Sequence, residues 1–461
     1  MNTRQILACL LGALLLPAAV QAQYYYTSDG SQVTITGYYG PDGDVSIPTT
    51  IDGLTVTSIG ENAFLEEIGV TNITIPASVT SIGESAFSDS GLTAITIPGN
   101  VTNIGPEAFA NCASLTNSIL ADGVTSIGAS AFNNCPVLGN ITIPSSVISI
   151  GPFAFSACTG LTNATISNGV ISIGDAAFDH CFFLTNIAMP ASVTSIGMDA
   201  FISCGRLTAI TVDTQNPIYA SVDGVLYNKS VTSLLEAPPA LGGSFTVPAS
   251  VTSIGNGAFS DCNNLTSLAI PSSVTSIGQY AFYNCSFLTN ITIAGGVTSI
   301  GEDAFFASFL TSLTIPGSVT NIGDYGFSSI PFLKSAYFEG NAPVADSTAF
   351  QGDNDSGTVT IYYLPGTTGW SNTFAGQPTA LWLLPRPVIL NNGPNFGVQS
   401  NTFGFTISWA TNSSFVVEAC PSLANPVWTP IQTNTLTNGS FYFSEPFQTN
   451  ISGRFYRISS P

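Results

Sequence analysis

Residues 274–293 carry the stretch that decides the fold, VTSIGQYAFYNCSFLTNITI. This motif recurs along the chain at a step of 22 or 23 residues, with one longer interval of 58. Its consensus is V-T-S-I-G-x-x-A-F followed by x-x-C-x-x-L-T-x-I-T-I-P. Each repeat must bury its apolar residues against its neighbours, so the spacing predicts a solenoid. A Phe stands five residues after each repeated Ile, at Phe64, Phe87, Phe109, Phe132, Phe155, Phe178, Phe201, Phe259, Phe282, Phe305 and Phe327, and Phe350 continues the step.

The segment Leu92-x-x-Ile95-x-Ile97 predicts the local structure of one repeat. It matches the L-x-x-L-x-L core of leucine-rich repeats, whose period is about 20–29 residues. Side chains alternate along a strand, so Ile95 and Ile97 should face the core and Thr96 the solvent. We expect a single helical turn after Gly105. The predicted fold is a leucine-rich-repeat solenoid of about 11–12 repeats, with short parallel strands, a convex side of turns or short helices, and a small C-terminal β-sandwich.

The combination of I-G-x-x-A-F with C-x-x-L-T-x-I-T-I-P resembles the BspA-like leucine-rich repeats of bacterial secreted and surface proteins. Residues 57–350 carry eleven clear copies, and residues 33–56 and 362–370 resemble the N-terminal and closing caps of that family. The resemblance implies a secreted or surface location. Members are often adhesins or ligand-binding proteins, so the resemblance implies architecture more firmly than a target.

The flanking segments define the predicted domain boundaries. Arg4, an apolar run from Ile6 to Leu16 and small residues ending at Ala22 indicate a signal peptide at 1–22. We expect the mature, exported chain to begin at Gln23 and to contain no transmembrane segment. The predicted order is an N-terminal β cap at 23–56, repeats at 57–350 with an enlarged repeat at 205–250, a C-terminal cap at 351–384 and an immunoglobulin-like β-sandwich at 385–461.

Charge restricts the partners that this chain can take. Charged residues make up 7% of the sequence, against roughly 25% in ordinary soluble domains. The formal net charge of −20 argues against nucleic acid and anionic membranes, because both require basic patches. We expect an extracellular protein or glycan as the partner.

Seven Cys residues recur three positions after the repeat Phe, and Cys420 stands alone in the tail. Equivalent side chains on stacked strands run parallel and stay about 5 Å apart, whereas disulfides need Cβ atoms about 3.8 Å apart. We therefore expect a column of buried free thiols. No C-x-x-C pair indicates a metal site. The column comprises Cys112, Cys135, Cys158, Cys181, Cys204, Cys262 and Cys285.

The sequence predicts no catalytic, cofactor-binding or metal-binding residue. The single His, His180, occupies a slot that Asn fills in other repeats. No G-x-S-x-G, H-E-x-x-H or phosphate-binding glycine loop is present. Asp353-x-Asp355-x-Gly357 forms half of a calcium loop and lacks its remaining ligands. Paired carboxylates of the glycosidase type stay open as an alternative.

Thr residues on the strands form the first candidate binding face. The outward column contains Thr74, Thr96, Thr142, Thr165, Thr211, Thr292 and Thr314, interrupted by Ile119, Ala188, Ala269 and Tyr337. A second polar column contains Thr93, Thr116, Thr162, Thr185, Thr208, Thr266, Thr289 and Thr311. The alternative is that Thr is only a good strand former on a wet face.

The enlarged repeat is the second candidate, with Asp213, Tyr219, Asp223 and Tyr227 as its site residues. A structural role for this insert is an equal alternative, and the C-terminal sandwich is a third possible attachment site. The leading hypothesis for function is a binding or adhesion scaffold. The alternatives are a passive spacer of the envelope or matrix and, more remotely, a glycan hydrolase.

Overall fold

The computed structural model describes residues 23–352, 358–382, 388–390, 396–399, 402–408, 413–423, 426–436, 440–446 and 454–459. Within these ranges all helix and strand assignments are strands, and no helix is long and apolar enough to cross a membrane. The predicted signal peptide, the half calcium loop at 353–357 and the start of the predicted sandwich at 385–387 and 391–395 lie outside the described residues. Two compact units form: unit 1 is Met1–Gly242 with Asn256–Asn264, and unit 2 is Gly243–Gly255 with Leu265–Pro461.

Unit 1 consists of short strands that recur in every repeat. They are β1 (Tyr24–Ser28), β2 (Gln32–Tyr38), β3 (Gly43–Ser46), β4 (Thr50–Ile51), β5 (Leu54–Ile59), β6 (Val70–Thr74), β7 (Ser81–Ile82), β8 (Ala94–Ile97), β9 (Asn103–Ile104), β10 (Asn117–Leu120), β11 (Ser126–Ile127), β12 (Asn140–Ile143), β13 (Ser149–Ile150), β14 (Asn163–Ile166), β15 (Ser172–Ile173), β16 (Asn186–Met189), β17 (Ser195–Ile196), β18 (Ala209–Val212), β19 (Tyr219–Val222), β20 (Val225–Asn228) and β21 (Ser233–Glu236).

Unit 2 repeats the same pattern and then adds the C-terminal strands. They are β22 (Gly242–Thr246), β23 (Ser253–Ile254), β24 (Asn264–Ile270), β25 (Ser276–Ile277), β26 (Asn290–Ile293), β27 (Ser299–Ile300), β28 (Ser312–Ile315), β29 (Asn321–Ile322), β30 (Ser335–Phe338), β31 (Thr360–Tyr363), β32 (Thr373–Phe374), β33 (Gln377–Leu381), β34 (Val388–Leu390), β35 (Gly397–Gln399), β36 (Thr402–Ser408), β37 (Ser413–Cys420), β38 (Thr429–Leu436), β39 (Ser440–Pro446) and β40 (Phe455–Ser459).

The repeats of unit 1 stack as two parallel sheets, which makes the unit a β-solenoid. In the narrow sheet, strands β5, β7, β9, β11, β13, β15 and β17 contribute mostly one polar residue and one Ile each. In the broad sheet, four- and five-residue strands follow the order β6-β8-β10-β12-β14, and β16 pairs with β18. Register steps by one repeat, for example Ile141 opposite Ala164 and Ile150 opposite Ile173. Equivalent residues therefore lie in columns.

The Phe column fills the core, as the sequence predicts. The rings of Phe87 and Phe109 stack with centroids 5.1 Å apart, and those of Phe109 and Phe132 with centroids 5.0 Å apart. These three side chains are fully buried. In unit 2 the ring of Phe350 stacks on that of Phe327 with centroids 5.1 Å apart. Phe350, which belongs to a twelfth and less regular copy of the repeat, therefore continues the column. Each ring packs against the same residue type in the next repeat, which explains why no repeat is a folding unit by itself.

The prediction of a single helical turn after Gly105 is wrong. Glu107 and Asn111 have left-handed backbone, with φ of 53° and 57°, which a right-handed helix does not allow. The N–H groups of Glu107, Phe109 and Asn111 donate to carbonyl oxygens of the following repeat at 2.7–2.8 Å, not to residues four positions earlier. The same pairs of left-handed residues recur at Asn62 and Glu66, Ser85 and Asp89, Ser130 and Asn134, Phe153 and Ala157, Ala176 and His180, and Asp199 and Ser203.

The C-terminal strands form two antiparallel sheets. One contains β34, β36, β35 and β39, and the other contains β38, β37 and β40. Phe405, Ile407 and Phe443 from the first sheet share one buried cluster with Phe415 and Val417 from the second. Two sheets that bury a common core form a β-sandwich, as the sequence predicts.

Candidate functional site

The exposed side of the broad sheet carries the predicted Thr column. In β8, Ile95 and Ile97 are buried while Thr96 between them is exposed. Strand alternation repeats this arrangement in each repeat. All seven candidate residues are exposed: Thr74, Thr96, Thr142, Thr165 and Thr211 in unit 1, and Thr292 and Thr314 in unit 2.

A column of Asn residues lies beside the Thr column, and the sequence analysis missed it. Asn140 and Thr142 stand two residues apart on β12, so both side chains emerge on the same side of the sheet. The sequence signal was the recurrent tetrapeptide N-I-T-I, whose first position reads as variable because other repeats carry Ala or Ser there. We call the two columns of unit 1 together the Asn–Thr face; its exposed amides are Asn72, Asn117, Asn140, Asn163 and Asn186, and Asn290 fills the same slot in unit 2.

The Asn–Thr face is a regular lattice where the repeats are uninterrupted. Asn140 lies opposite Asn163, and Thr142 lies opposite Thr165, on adjacent parallel strands. Adjacent strands lie about 4.8 Å apart, and residues two apart on a strand are separated by about 6.6 Å. Neither column contains a charged residue. The lattice therefore presents amide and hydroxyl groups at fixed spacings and carries no formal charge.

Hydrogen bonds distinguish the two Thr columns. In the second column, the Thr116 hydroxyl donates to the Thr93 carbonyl oxygen at 2.9 Å, and the Thr208 hydroxyl donates to the Thr185 carbonyl oxygen at 3.0 Å. Each of these carbonyl oxygens also accepts the backbone N–H of the same Thr at 2.9 Å, so the hydroxyl adds a second hydrogen bond between repeats and that column belongs to the fold. In the outward column, the hydroxyls of Thr74, Thr96, Thr142, Thr292 and Thr314 have no protein partner within the described ranges.

The insert residues serve mainly to end the stack of the first repeats. The fully buried Asn216 donates from its amide to the carbonyl oxygens of Pro190 and Val193 at 2.9 and 2.8 Å. Its Oδ1 accepts from the backbone N–H groups of Ile218 and Tyr219. Sequence reasoning missed Asn216, because its partners lie 23–26 residues away and carry no local signal. These contacts support the structural role of the insert.

The four predicted insert residues do not form one site. Tyr227 is fully buried, so its assignment to a binding surface is wrong; β20 is buried on both sides, with Val225, Leu226 and Tyr227 all inaccessible to solvent. Tyr219 bonds the backbone at Thr194 and Ile196. Asp213 accepts the N–H of Gln215 in a turn. Asp223 is the exposed left-handed residue, with φ of 51°, between β19 and β20.

The Cys column is part of the core. The thiol of Cys135 donates to the Phe109 carbonyl oxygen at 3.2 Å, and that of Cys158 donates to the Phe132 carbonyl oxygen at 3.1 Å. Burial and the neighbouring Cys204 thiol raise the pKa of Cys181 well above its usual value. Protonated, buried thiols are poor nucleophiles and poor metal ligands. In the described part of the chain, no three His, Cys, Asp or Glu residues are placed to hold a metal ion.

His180 lies on an exposed turn with left-handed backbone. Its Nδ1 is 2.5 Å from Oδ1 of Asp179. Burial raises the pKa of the Asp179 carboxyl, and the His180 charge opposes that rise. The pair ties two adjacent residues of one turn together.

The comparisons with known proteins agree with this architecture. Residues 45–138, 125–234 and 243–356 match the model of the BspA type leucine rich repeat region. A leucine rich cell surface protein from Faecalibacterium prausnitzii A2-165 is 32% identical, with a TM-score of 0.63, over 74% of this chain and 93% of that one. The pneumococcal vaccine antigen PcpA is 24% identical, with a TM-score of 0.56, over 74% and 85% of the two chains, and supports the fold alone. No curated protein matches the sequence.

Proposed function

The chain belongs to the BspA-type leucine-rich repeat family, and we propose that it is an exported or cell-surface scaffold that binds an uncharged polar partner, protein or glycan, on its Asn–Thr face. The similar structure from F. prausnitzii is described as a cell surface protein. The predicted signal peptide agrees with export.

One observation supports this proposal above the others. The Thr column that precedes the broad-sheet strands bonds the backbone of the preceding repeat, whereas Thr211 is the one of the seven outward candidates whose hydroxyl does so in the described residues. Unpaired hydroxyls such as those of Thr142 and Thr96 can both donate and accept. An array of such groups suits a partner that makes many weak polar contacts, directly or through bridging water.

The experiment compares two pairs of substitutions in the same repeats. Thr142→Lys with Thr165→Lys adds bulk and charge to the Asn–Thr face. Ile148→Lys with Ile171→Lys adds the same charge to the side of the narrow sheet, where these side chains are 56% and 43% exposed. Arrays of extracellular proteins and of glycans are probed with wild type and both variants. We expect saturable binding that the first pair weakens at least tenfold and the second leaves unchanged.

Salt provides a second readout of the same proposal. Few charged groups contribute to the face, so affinity should change less than about threefold between 50 and 500 mM NaCl, since screening acts on charges. A steep dependence of affinity on salt concentration would indicate that the partner binds at the acidic turns instead. Absence of saturable binding on every array would favour the passive spacer, in which the repeats only set a distance.

A further inference from the structure

In unit 2 the outward column changes from Thr to Tyr along the chain. Thr314 on β28 lies opposite Tyr337 on β30, and Tyr337 lies opposite Tyr362 on β31. Thr314 is exposed, and the two Tyr side chains are half-buried. A Tyr ring reaches several ångströms farther from the sheet than a Thr side chain. The column therefore forms a step at the boundary between Thr314 and Tyr337.

The ring of Tyr337 packs against two aromatic rings and has Thr314 as its neighbour on β28. The Tyr362 ring stacks on it with centroids 5.0 Å apart and an interplanar angle of 15°. Trp382, which follows β33 on the far side of β31, lies 4.9 Å from the Tyr337 centroid at 49°. On the other side the neighbouring residue is Thr314, whose short side chain cannot cover an aromatic ring. The face of Tyr337 toward Thr314 is thus the wall of the step.

Polar groups of the step are left unused by the fold. Trp370, in the closing cap, donates its indole N–H to the Gly340 carbonyl oxygen at 3.3 Å. The indole N–H of Trp382 and the hydroxyls of Tyr337 and Thr314 have no hydrogen-bond partner in the parts of the chain that the structure describes. Buried or half-buried Tyr and Trp usually place their polar tips on a partner.

We propose that the step formed by Thr314, Tyr337, Tyr362 and Trp382 binds one pyranose ring of an uncharged polysaccharide. The axial C–H face of a pyranose stacks on the electron-rich face of an aromatic ring. Its hydroxyl rim then meets the free hydroxyl of Thr314, the exposed Ser312 and the indole N–H of Trp382. The slots of Asn290, Ser312, Ser335 and Thr360 carry no acid or base, which favours a neutral sugar over a uronic acid, and the exposed Lys334 lies one residue before β30.

This site extends the proposed function to unit 2 and names a ligand class, and it does not require the unit 1 lattice to bind. If Thr142→Lys with Thr165→Lys leaves polysaccharide binding intact while Tyr337→Thr abolishes it, the step stands; the unit 1 face fails separately, if its partner on the arrays still binds the double Lys variant. The reverse result retains the face and overturns the step.

The experiment is affinity electrophoresis of the full chain in native gels that contain hydroxyethyl cellulose, dextran, arabinoxylan or, as an acidic probe, polygalacturonate. Tyr337→Thr introduces the residue type that the preceding repeats carry at the equivalent position, as Thr292 and Thr314, so the variant should fold. Tyr337→Phe keeps the ring, and Tyr325→Asn removes an exposed Tyr at a turn where Asn fills the equivalent slot at Asn62.

We expect at least one neutral polysaccharide to retard the wild type. Tyr337→Thr should raise the dissociation constant at least tenfold, whereas Tyr337→Phe and Tyr325→Asn should change it less than threefold. Equal binding by Tyr337→Thr, retardation by polygalacturonate alone, or no retardation by any neutral probe would overturn the proposal. Circular dichroism melting of Tyr337→Thr checks that any loss does not come from unfolding.

Discussion

The hydroxyl of Tyr219 accepts a hydrogen bond from the backbone N–H of Ile196 at 3.1 Å. In the narrow sheet, such an N–H otherwise pairs with the strand of a following repeat, as Ile322 does with the Val344 carbonyl oxygen. The side chain of the insert therefore replaces a backbone carbonyl. Glu236 likewise accepts the Phe201 N–H, and Asn216 donates its amide N–H to the Val193 carbonyl oxygen in place of a backbone donor, so the insert caps this end of the stack from within the chain.

Removing the Tyr219 hydroxyl should loosen this repeat only. Tyr219→Phe leaves the Ile196 N–H without its partner, at a cost of about 1–3 kcal/mol if the group stays buried. Hydrogen exchange should rise in peptides that contain Ile196 and stay unchanged near Ile104. Tyr39→Phe, which alters an exposed ring, is the matched control. Unchanged exchange at Ile196 would show that the hydroxyl does not cap the strand.

Glu236 should make unit 1 less stable as pH rises. Its carboxylate accepts the Phe201 N–H at 3.0 Å, and burial together with nearby Asp199 raises its pKa to about 8. Between pH 5 and 8 the folded state keeps a proton that the unfolded state has released. The free energy of unfolding therefore falls as pH rises through this window.

The Glu236→Gln variant isolates this effect, because it keeps the acceptor and removes the titration. We expect urea unfolding to show the variant more stable than wild type by roughly 2–4 kcal/mol at pH 8, since one unit of pKa difference corresponds to about 1.4 kcal/mol. At pH 5 the two proteins should differ little. The exposed Glu61→Gln is the control, and Asp199, whose pKa burial also raises, titrates in every variant. Parallel pH profiles for wild type and Glu236→Gln would contradict the assignment.

A gap in the Phe column should destabilise its neighbourhood. Phe132→Ala removes a fully buried ring that stacks on Phe109 and Phe155, and we expect a loss of about 3–5 kcal/mol. Because solenoid stability is a sum of nearest-neighbour terms, hydrogen exchange should rise near Ile127 more than near Ile59. Phe153→Ala, at a 46% exposed slot that Ala176 fills in the next repeat, should be nearly neutral. A uniform rise in hydrogen exchange across the repeats would contradict the description of stability as a sum of nearest-neighbour terms.

The Cys column should remain reduced in the mature protein. Cys135 and Cys158 donate their S–H groups to backbone oxygens, and eight free Cys are present in the described residues. Thiol titration in guanidinium without reductant should therefore find most of these eight thiols free. A result of two or fewer would mean that the column is cross-linked.

The sequence predicts the parts of this fold that depend on register. Phe109 and Cys135 are assigned to the core correctly, because a regular step and strand alternation decide which slots are buried. The turn after Gly105 is not predictable in the same way, since its left-handed slots hold Glu107 in one repeat and Phe153 in another, without a Gly signature. Such turns are stabilised by hydrogen bonds to the next repeat, which act at a distance of one repeat.

For the Thr columns of the candidate site too, the sequence predicts which side chains are exposed but not which hydrogen bonds they make. Exposure of Thr142 follows from alternation alone. That its hydroxyl is unpaired while the hydroxyl of Thr116 is bonded depends on where each side chain lies relative to the preceding repeat's carbonyl oxygens. The burial of Tyr227 likewise follows from the path of the insert, which the local sequence does not indicate.

The Thr column that precedes the strands ties the repeats together, and we propose that the outward Thr column is left for a partner. A reciprocal pair of isosteric variants tests it most directly, by measuring melting temperature and partner affinity together. Thr93→Val with Thr116→Val removes hydroxyls bonded to the backbone, so it should lower the melting temperature by several degrees and leave affinity unchanged. Thr142→Val with Thr165→Val should leave the melting temperature within about 2 °C and weaken binding at least fivefold. Unweakened binding by the second pair, with or without loss of stability, would contradict the account.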